Sequence, residues 1–175
     1  DLLSDAALHW LWSALAPDAA AWGYRDDRFR GSWGYVYQYR DKGGPLPQAQ
    51  LLYRCSVPEN GTTFDLDYCL SEGHAAAVIC EEGRVVSAAL THTPLAKEGL
   101  CEIGVETVPA SRGKGYASAC AAALADFLCG QNCQAEYRFR HRNAASRRVA
   151  EKAGFVRTGR FYSYVLRRIP QSHKK

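Results

Sequence analysis

The sequence predicts a mixed α/β fold, with strands dominating the first half of the chain and alternating with helices in the second half. Three observations predict it. β-Branched and aromatic segments are separated by turn residues, and two later segments carry apolar residues at helical spacing. In addition, 175 residues, 47% of them hydrophobic, suffice for one domain with its own core. We therefore expect a single domain spanning residues 1–175.

One helix and two strands are expected at the start of the chain. Apolar residues recur at helical spacing between Ser4, which suits an N-cap, and Pro17. Residues 33–40 are aromatic and β-branched, which predicts a strand, and the turn-forming segment DKGGPLP follows it. Residues 51–57 predict a second strand, because they are largely apolar and the turn segment PENG closes them.

A short helix and a β-hairpin are expected next. The helix enters at Thr62 or Thr63, carries Asp65 in its first turn and ends at Gly73. Two apolar segments, HAAAVIC and RVVSAALTHT, flank the turn EEG and indicate a pair of antiparallel strands. This hairpin is the clearest strand signal in the sequence.

Residues 100–108, LCEIGVETV, predict a strand with one apolar and one acidic face, because successive side chains point to opposite sides. The two faces consist of Cys101, Ile103 and Val105, and of Glu102, Gly104 and Glu106. Gly104 leaves space between the two glutamates, which are ~13 Å apart along the strand. At that distance the two carboxyl groups cannot share one proton directly.

Helices and strands alternate from here to the end of the chain. The segment from Ala117 has apolar residues at helical spacing, and Gly130 is expected to supply its left-handed stop. Residues 133–140 predict a strand, and Asn143 caps a helix that ends at Gly154. The segment FVRTGRFYSYVLRR then closes the chain as strand, turn and strand.

The stretch SRGKGYA places two glycines between a strand and a helix. Such a turn leaves backbone N–H groups pointing one way at the positive end of the helix dipole. Gly113 and Gly115 remove side chains that would block a phosphate, while Arg112 and Lys114 add positive charge. The spacing matches neither Gly-x-x-x-x-Gly-Lys-Ser/Thr nor Gly-x-Gly-x-x-Gly. The stretch is therefore either a phosphate site of another type or a plain turn.

The same stretch resembles the acetyl-CoA-binding signature of the GNAT N-acetyltransferase superfamily, Arg/Gln-x-x-Gly-x-Gly/Ala, which Arg112, Gly115 and Ala117 match. A second segment, NAASRRVAEKAGF, resembles the family's Asn-x-x-Ser/Ala signature with its Lys-x-Gly-Phe ending. Roughly the last 95 residues follow the family's order of strands and helices. Both segments are most similar to a branch that contains zwittermicin-resistance-like acetyltransferases.

The resemblance implies an α+β fold with a mainly antiparallel central sheet flanked by helices. In this sheet the acidic-faced strand of residues 100–108 and the strand of residues 133–140 splay apart around the pantetheine arm of acetyl-CoA. It implies an acetyl-CoA-binding core in residues 74–175 and an acceptor-side part in residues 1–73. By the same likeness, the strand backbone at Thr107 and Val108 bonds the thioester and pantetheine. The other residues implied to bind the cofactor are Arg112, Gly113, Lys114, Gly115, Tyr116, Ala117, Asn143 and Ser146.

Polar residues of the second segment have plain structural alternatives. Asn143 is either a cofactor residue or only a helix cap, and Ser146 is either a cofactor residue or a surface residue. Arg147 and Lys152 either reach the phosphates of the cofactor or are solvated charges on their helix.

The chemistry that the resemblance implies is transfer of an acetyl group from a thioester to an amine. An alkyl amine with a pKa near ~10 arrives protonated, so a base must take a proton before the nitrogen attacks. Glu102 falls where several family members carry their base. Glu106, beside the reacting carbonyl, is an alternative base or a group that holds the cationic acceptor. The alternative for both is an ordinary charge on an exposed strand.

The departing thiolate is served by a tyrosine in many family members, but the matching position in this chain is Ala150. Tyr162 and Tyr164, on the last strand, are the expected substitutes unless they only pack in the sheet. A thiolate that leaves without a proton donor is a further alternative. His92, at the end of its strand, either enters the site or lies on the surface.

Three functions stay open at this point. The favoured one is an acetyl-CoA-dependent N-acetyltransferase acting on a primary amine of a small molecule, with aminoglycosides and other amine antibiotics as an alternative acceptor class. The second is a protein N-acetyltransferase. The third is a non-catalytic acyl-CoA-binding module. The acceptor is set by the N-terminal part, which carries no family motif.

Composition bounds the compartment and the partners. Seven cysteines, mostly in apolar runs, predict buried free thiols, which favours the cytoplasm. Cys129 and Cys133 have no second Cys or His pair at ligand spacing, so we expect no metal. A mild net charge of +4, no nucleic-acid-binding module and no apolar run near ~20 residues predict neither nucleic acid nor membrane as a partner. The oligomeric state stays open, a homodimer included.

Overall fold

A computed structural model of the chain describes residues 13, 24–25, 31–41, 44–53, 55–95, 99–164 and 167–168. Residues 34–160 form one compact unit, and residues 1–33 with 161–175 form a smaller one. The smaller unit contains a described strand pair, β1 (Tyr24–Arg25) and β10 (Arg167–Arg168), in antiparallel register. The helix predicted between Ser4 and Pro17 lies outside the described residues, apart from Ser13. The single domain divided at residue 73 stays a prediction.

The other elements follow the predicted order, with strands first and then strands alternating with helices. The strands are β2 (Gly31–Tyr39), β3 (Gln50–Leu52), β4 (Glu59–Asn60), β5 (Ala76–Glu81), β6 (Arg84–Thr91), β7 (Gly99–Thr107), β8 (Cys133–Arg140) and β9 (Phe155–Tyr164). The helices are α1 (Leu66–Ser71), α2 (Tyr116–Gly130) and α3 (Ala144–Lys152), and a 3₁₀ turn (Pro109–Ser111) precedes α2. Among the described residues, no helix combines the length and the apolar character needed to cross a membrane.

The strands form one sheet in the order β3-β5-β6-β7-β8-β2-β9, and the short β4 pairs with β6. Neighbours are antiparallel at β3–β5, β5–β6, β6–β7 and β2–β8, whereas β7–β8 and β4–β6 are parallel. The prediction of a mixed α/β fold with a mainly antiparallel sheet flanked by helices is confirmed.

Each face of the sheet packs its own core, because alternate residues of a strand point to opposite sides. Ala77 and Ile79 of β5 join the core that contains α2 and α3, whereas Ala76 and Val78 join the core that contains α1. Small buried residues let α2 lie close to the sheet, namely Ala119, Ala121, Ala122 and Ala125. The face that packs α2 is therefore apolar, which leaves charged side chains of β7 and β8 on the other face.

Helix α1 begins later than predicted. Asp65 is its N-cap, and the carboxylate accepts a hydrogen bond from the backbone N–H of Tyr68 (3.2 Å). Thr62 and Thr63 are not caps, so the prediction that the helix enters there is wrong. The physical reason is that both hydroxyls donate hydrogen bonds elsewhere. The Thr62 hydroxyl donates to the side-chain oxygen of Asn60, and the Thr63 hydroxyl donates to a glutamate of β7.

The ends of α2 and β3 also differ from the predictions. Gly130 is still helical, and the left-handed residue is Asn132 (φ 58°), since asparagine adopts this conformation more readily than most residues. The strand predicted for residues 51–57 spans only Gln50–Leu52. Its partner β5 begins at Ala76, directly opposite Leu52, so no paired strand continues beyond that point.

Strand β9 passes through Thr158 and Gly159 without a turn. The Thr158 hydroxyl donates to the carbonyl oxygen of Val36 in β2 (3.4 Å). Tyr162 and Tyr164 fall in this strand, but their side chains lie outside the described part of the chain. Residues 165–166, where a turn before β10 would fall, also lie outside it.

All seven cysteines are free thiols. Only three of them, Cys101, Cys120 and Cys133, are buried in the core, so the expectation that most are buried is wrong. Cys55, Cys80 and Cys129 are exposed because they lie in a loop, at the end of a hairpin strand and in the last turn of α2.

Candidate functional site

Strands β7 and β8 pair in parallel only at their beginnings, over residues 99–102 and 133–136. Beyond that point β7 continues beside β6, and β8 continues beside β2. The two strands therefore part after Glu102 and Glu136, the last residues that face each other. The predicted separation of these strands is confirmed, and the opening between them is the candidate site.

The backbone of β7 presents alternate residues to this opening. The N–H of Val108 donates to the carbonyl oxygen of Val86 (2.9 Å), which shows that the even-numbered residues bond to β6. The backbone polar groups of Val105 and Thr107 consequently point away from β6, toward the opening. The carbonyl of Val108 accepts from the N–H of Ser111 (3.0 Å), so both of its backbone groups are used. Of the two predicted backbone contacts, only Thr107 has this orientation.

A glycine turn connects the end of β7 to α2, as the sequence predicts. Gly113 (φ 81°) and Gly115 (φ 83°) both adopt the left-handed conformation that favours glycine. Gly115 is the N-cap of α2 and no side chain caps the helix there. The first N–H groups of α2, including those of Tyr116 and Ala117, are therefore available to an anion at the positive end of the helix dipole. We call residues 112–117 the glycine loop.

Glu81, the last residue of β5, holds the glycine loop in place. Its carboxylate accepts hydrogen bonds from Ser111 Oγ (2.7 Å), Lys114 Nζ (2.7 Å) and Tyr116 Oη (2.9 Å). These bonds, that from Lys114 first, lower the pKa of Glu81 to about 2, and the bond to Glu81 raises the pKa of Tyr116. The charge of Lys114 is thus compensated within the protein.

Two further cations lie at the glycine loop. The Arg112 side chain is exposed and donates through Nε to the carbonyl oxygen of Thr107 (3.1 Å). Lys152, at the end of α3, brings its Nζ to 3.4 Å from the point that a Cβ on Gly115 would occupy. Among the described residues, no carboxylate lies within ion-pair distance of Lys152. Lys152 therefore lies beside the loop, and its contact with the phosphates of the cofactor stays a prediction.

A cluster of charges lies where β7 and β8 part. Glu136 is buried, with 3% of its surface exposed. Its carboxylate accepts hydrogen bonds from Arg138 Nε (2.5 Å) and Gln38 Nε2 (3.4 Å). The same Arg138 Nε lies 3.7 Å from Glu102 Oε2. Arg138 therefore compensates two carboxylates that face each other across the strands, where like charges would otherwise repel.

His92 lies against β7 beside this cluster. Its backbone N–H donates to the carbonyl oxygen of Glu102 (2.8 Å), and its Nδ1 is 3.5 Å from Glu102 Oε1. A Cβ on Gly104 would be only 2.4 Å from His92 Nε2. The His92 side chain is 49% exposed, so it lies both at the surface and beside Glu102, and its entry into the site stays a prediction. The space above Gly104 is occupied by the imidazole.

Glu106 is engaged by the loop that precedes α1. Its Oε2 accepts from the backbone N–H of Thr63 (3.0 Å) and from the Thr63 hydroxyl (2.6 Å). Its own carbonyl accepts from Ser87 Oγ (3.1 Å). Glu102 and Glu106 are on the same face, as predicted, but they have separate partners, so their environments differ.

The second motif places Asn143 and Ser146 at the start of α3. Asn143 is the N-cap, and its side-chain oxygen accepts from the N–H of Ser146 (3.0 Å). Ser146 Oγ accepts from the hydroxyl of Tyr137 (3.2 Å), and burial raises the pKa of Tyr137. Ala150 is completely buried, and Arg147 stacks on the ring of Tyr35.

Sequence reasoning missed several residues of this arrangement: Thr63, Glu81, Glu136, Tyr137 and Arg138. Glu136 and Arg138 had a usable signal, because they alternate with apolar residues along β8 as Glu102 and Glu106 do along β7. The others had none, since each contact joins segments far apart in sequence. In the described part of the chain, no three His, Cys, Asp or Glu side chains come together as a metal site requires.

Residues 68–164 match the family model "GNAT acetyltransferase". No curated protein matches the chain. The solved structures similar to it include a GNAT-family acetyltransferase from Colwellia psychrerythraea, with a TM-score of 0.60 and 13% identity over 88% of this chain and 60% of that one. They also include a putative GNAT acetyltransferase from Novosphingobium aromaticivorans (TM-score 0.59, 18% identity, 83% of this chain and 68% of that one). Another is a GCN5-related N-acetyltransferase-like protein from Streptococcus suis (TM-score 0.56, 25% identity, 89% of this chain and 68% of that one). The chain thus spans only 60% of the first of these proteins.

Proposed function

This chain belongs to the GNAT acetyltransferase family, and on that premise we propose that it transfers an acetyl group from acetyl-CoA directly to a primary amine of a small molecule. One observation carries the proposal. An opening between two parted strands ends at a helix whose first N–H groups have no side-chain cap. Such an arrangement suits an extended molecule with a phosphate group at one end and a reactive group at the other.

The glycine loop is proposed to hold the pyrophosphate of acetyl-CoA. The left-handed backbone of Gly113 and Gly115 leaves room for phosphate oxygens to approach the N–H groups of Tyr116 and Ala117. Arg112 and Lys152 supply positive charge. Lys114 contributes mainly to the shape of the loop, because Glu81 compensates its charge.

The pantetheine arm is proposed to lie in the opening. The backbone groups of Val105 and the N–H of Thr107 face that side, so they can bond the amides of the arm as an added strand would. The Thr107 carbonyl already accepts from Arg112 Nε. Val108 lines the arm without bonding to it, because both of its backbone groups are used. Asn143 and Ser146, at the start of α3, line the other side.

Glu102 is proposed as the carboxylate that promotes the removal of a proton from the acceptor amine. Glu106 is proposed as a group that binds the cationic acceptor. Glu102 lies where the strands part, and its side chain is 32% exposed. Glu106 already accepts two hydrogen bonds from Thr63, which favours a binding role. Tyr162 and Tyr164 remain the proposed donors to the departing thiolate.

We further propose that the enzyme acts in the cytoplasm and that it belongs to the zwittermicin-resistance-like branch of the family. The oligomeric state stays open, a homodimer included. The seven free cysteines support a reducing compartment. The amino-acid sequences of the two motifs support membership of this branch. Amine antibiotics are the alternative class of acceptor.

The proposal is tested by following thiol release from acetyl-CoA with a panel of amines: amino acids, polyamines, aminoglycosides and lysine peptides. Binding of CoA is measured in parallel by calorimetry. We expect CoA binding and turnover on a small amine. Turnover only on peptides would replace the small-molecule acceptor by a protein, and CoA binding without turnover on any amine would indicate a non-catalytic module.

A further inference from the structure

A backbone contact and a side-chain contact join His92 to Glu102 at the point where β7 leaves β8. The backbone N–H of His92 bonds to the carbonyl oxygen of Glu102 (2.8 Å), which anchors the residue across the β6–β7 pair. The ring nitrogen Nδ1 lies 3.5 Å from Glu102 Oε1. This is ion-pair distance and long for a hydrogen bond, as is common for catalytic groups before substrate binds.

Gly104 provides the space for this ring. A Cβ on Gly104 would lie 2.4 Å from Nε2, 3.2 Å from Cδ2 and 3.4 Å from Cε1 of His92. The backbone of Gly104 does not itself require glycine, because it is not among the residues with a positive φ. Glycine at this position is therefore explained by the imidazole that lies over it.

Nε2 of His92 lies close to the point where β7 and β8 separate. Glu102 is the last residue of β7 that pairs with β8, and Gly104 comes two residues later, on the same face. Nε2 over Gly104 consequently lies at the start of the opening, while Nδ1 points back to Glu102. Within the described residues, Nε2 has no hydrogen-bond partner.

The carboxylates of Glu102 and Glu106, on the same face, have neighbouring donor groups, whereas Nε2 of His92 has none among the described residues. The Glu102 oxygens lie beside His92 Nδ1 and Arg138 Nε, and Glu106 accepts twice from Thr63. The charged and titratable groups around the imidazole are Glu102 on β7, Arg138 and Glu136 on β8, and His74, which contacts the neighbouring Thr91.

We propose that Nε2 of His92 takes the proton from the acceptor amine, and that Glu102 acts through it by orienting the Nδ1–H tautomer. This inference rests on the proposed acetyl transfer. The amine nitrogen gives its electron pair to the thioester carbonyl carbon, the C–N bond forms, the C–S bond breaks, and sulfur leaves as a thiolate with the bonding pair. Nitrogen loses two protons in all. Nε2 takes the first from the ammonium form before the attack and passes it to water, and the second, lost once the C–N bond has formed, passes through Nε2 to the thiolate.

The decisive test is a double-mutant cycle of H92Q, E102Q and H92Q/E102Q, with kcat/KM measured against pH and CoA binding measured by calorimetry. We expect H92Q to lower kcat/KM on the order of 100-fold and to change the dependence of kcat/KM on pH. E102Q should lower kcat/KM about 10-fold, and the double variant should have the same kcat/KM as H92Q. CoA affinity should stay within about 2-fold in all three.

A second variant displaces the ring without changing it. In G104A the new methyl group must push the imidazole away, so we expect this variant to lose activity as H92Q does, with CoA binding retained. G130A is the matched control, because nothing lies within 4 Å of a Cβ on Gly130. In ¹⁵N NMR spectra, the wild type should carry the His92 proton on Nδ1, and E102Q should show a mixture of tautomers.

An H92Q enzyme within about 3-fold of wild type and with the same pH profile would overturn the role of His92, while acetyl transfer itself would stand. A cycle in which E102Q costs far more than H92Q would also overturn it, because Glu102 would then act directly. If the wild type binds CoA but acetylates no amine, the proposed function fails, and the inference about His92 fails with it.

Discussion

Glu102 of β7 and Glu136 of β8 face each other in the last parallel pair before the strands separate. Arg138 Nε lies 3.7 Å from the first carboxylate and 2.5 Å from the second. A single guanidinium therefore compensates one partly exposed and one buried carboxylate where the opening begins. The charges that surround the proposed reaction are coupled, so a change in one alters the others.

Replacing Arg138 with methionine should destabilise the fold by about 1–3 kcal/mol, because it leaves a buried Glu136 without its main partner. The partial exposure of Arg138 keeps the cost at the lower end for a buried ion pair. Urea unfolding at neutral pH measures it. R140M, an exposed position on the same strand, should change stability by no more than about 0.5 kcal/mol. Equal losses in both variants would contradict the coupling.

Glu81 should make stability depend on pH in the acid range. Hydrogen bonds, that from Lys114 first, lower its pKa from 4.5 to about 2 in the folded protein. Its carboxylate therefore stabilises the fold above pH 4.5, and this contribution is lost as the pH falls toward 2. E81Q should be less stable than wild type at neutral pH, with a difference that shrinks in unfolding experiments at lower pH. E82Q, in the exposed turn beside it, should show no such trend.

Lys152 should contribute to CoA affinity through its position beside Gly115. K152Q is expected to raise the Kd for CoA about 3- to 5-fold, as the loss of one exposed ion pair would. The effect should decrease at high salt, because the charges are at the surface. R160Q removes one charge from an exposed residue of β9, at the edge of the sheet, and should change the Kd by less than about 2-fold. Calorimetry at two salt concentrations separates the two variants, and equal effects would remove Lys152 from the site.

Asn143 should act both as a helix cap and as a cofactor residue. N143A is expected to cost about 1 kcal/mol of stability, because the bond to the N–H of Ser146 is lost. N143S keeps a capping oxygen, so its stability should stay within about 0.5 kcal/mol of wild type, while the lost amide should weaken CoA binding. Thermal unfolding and calorimetry on both variants test this. Unchanged CoA affinity in N143S would reduce Asn143 to a cap.

Local chemistry made part of the site predictable from the sequence. The glycine loop combines a strand end, two glycines and a helix within a few residues, so its geometry follows from short-range rules. The shared face of Glu102 and Glu106 follows from strand alternation alone. The separation of β7 and β8 came from the family resemblance, and the strand register bears it out.

Contacts between distant segments could not be predicted in the same way. Thr63 and Glu106 are 43 positions apart, and Glu81 meets Tyr116 across 35 positions. Gly104 shows the limit most clearly. The sequence indicated empty space between two glutamates, but the partner that fills it, His92, comes from another strand end. The sheet register decides such pairings, and composition and spacing do not reveal it.

The most direct test of the account is the stoichiometry of a single experiment: thiol released from acetyl-CoA and N-acetylated amine formed, in wild type and in E102Q. We expect equal amounts of the two products in wild type, and a reaction about 10-fold slower in E102Q with CoA binding retained. Thiol release without acetylated amine would contradict acetyl transfer to an amine. An unchanged rate in E102Q would contradict the role of Glu102 at the opening between β7 and β8.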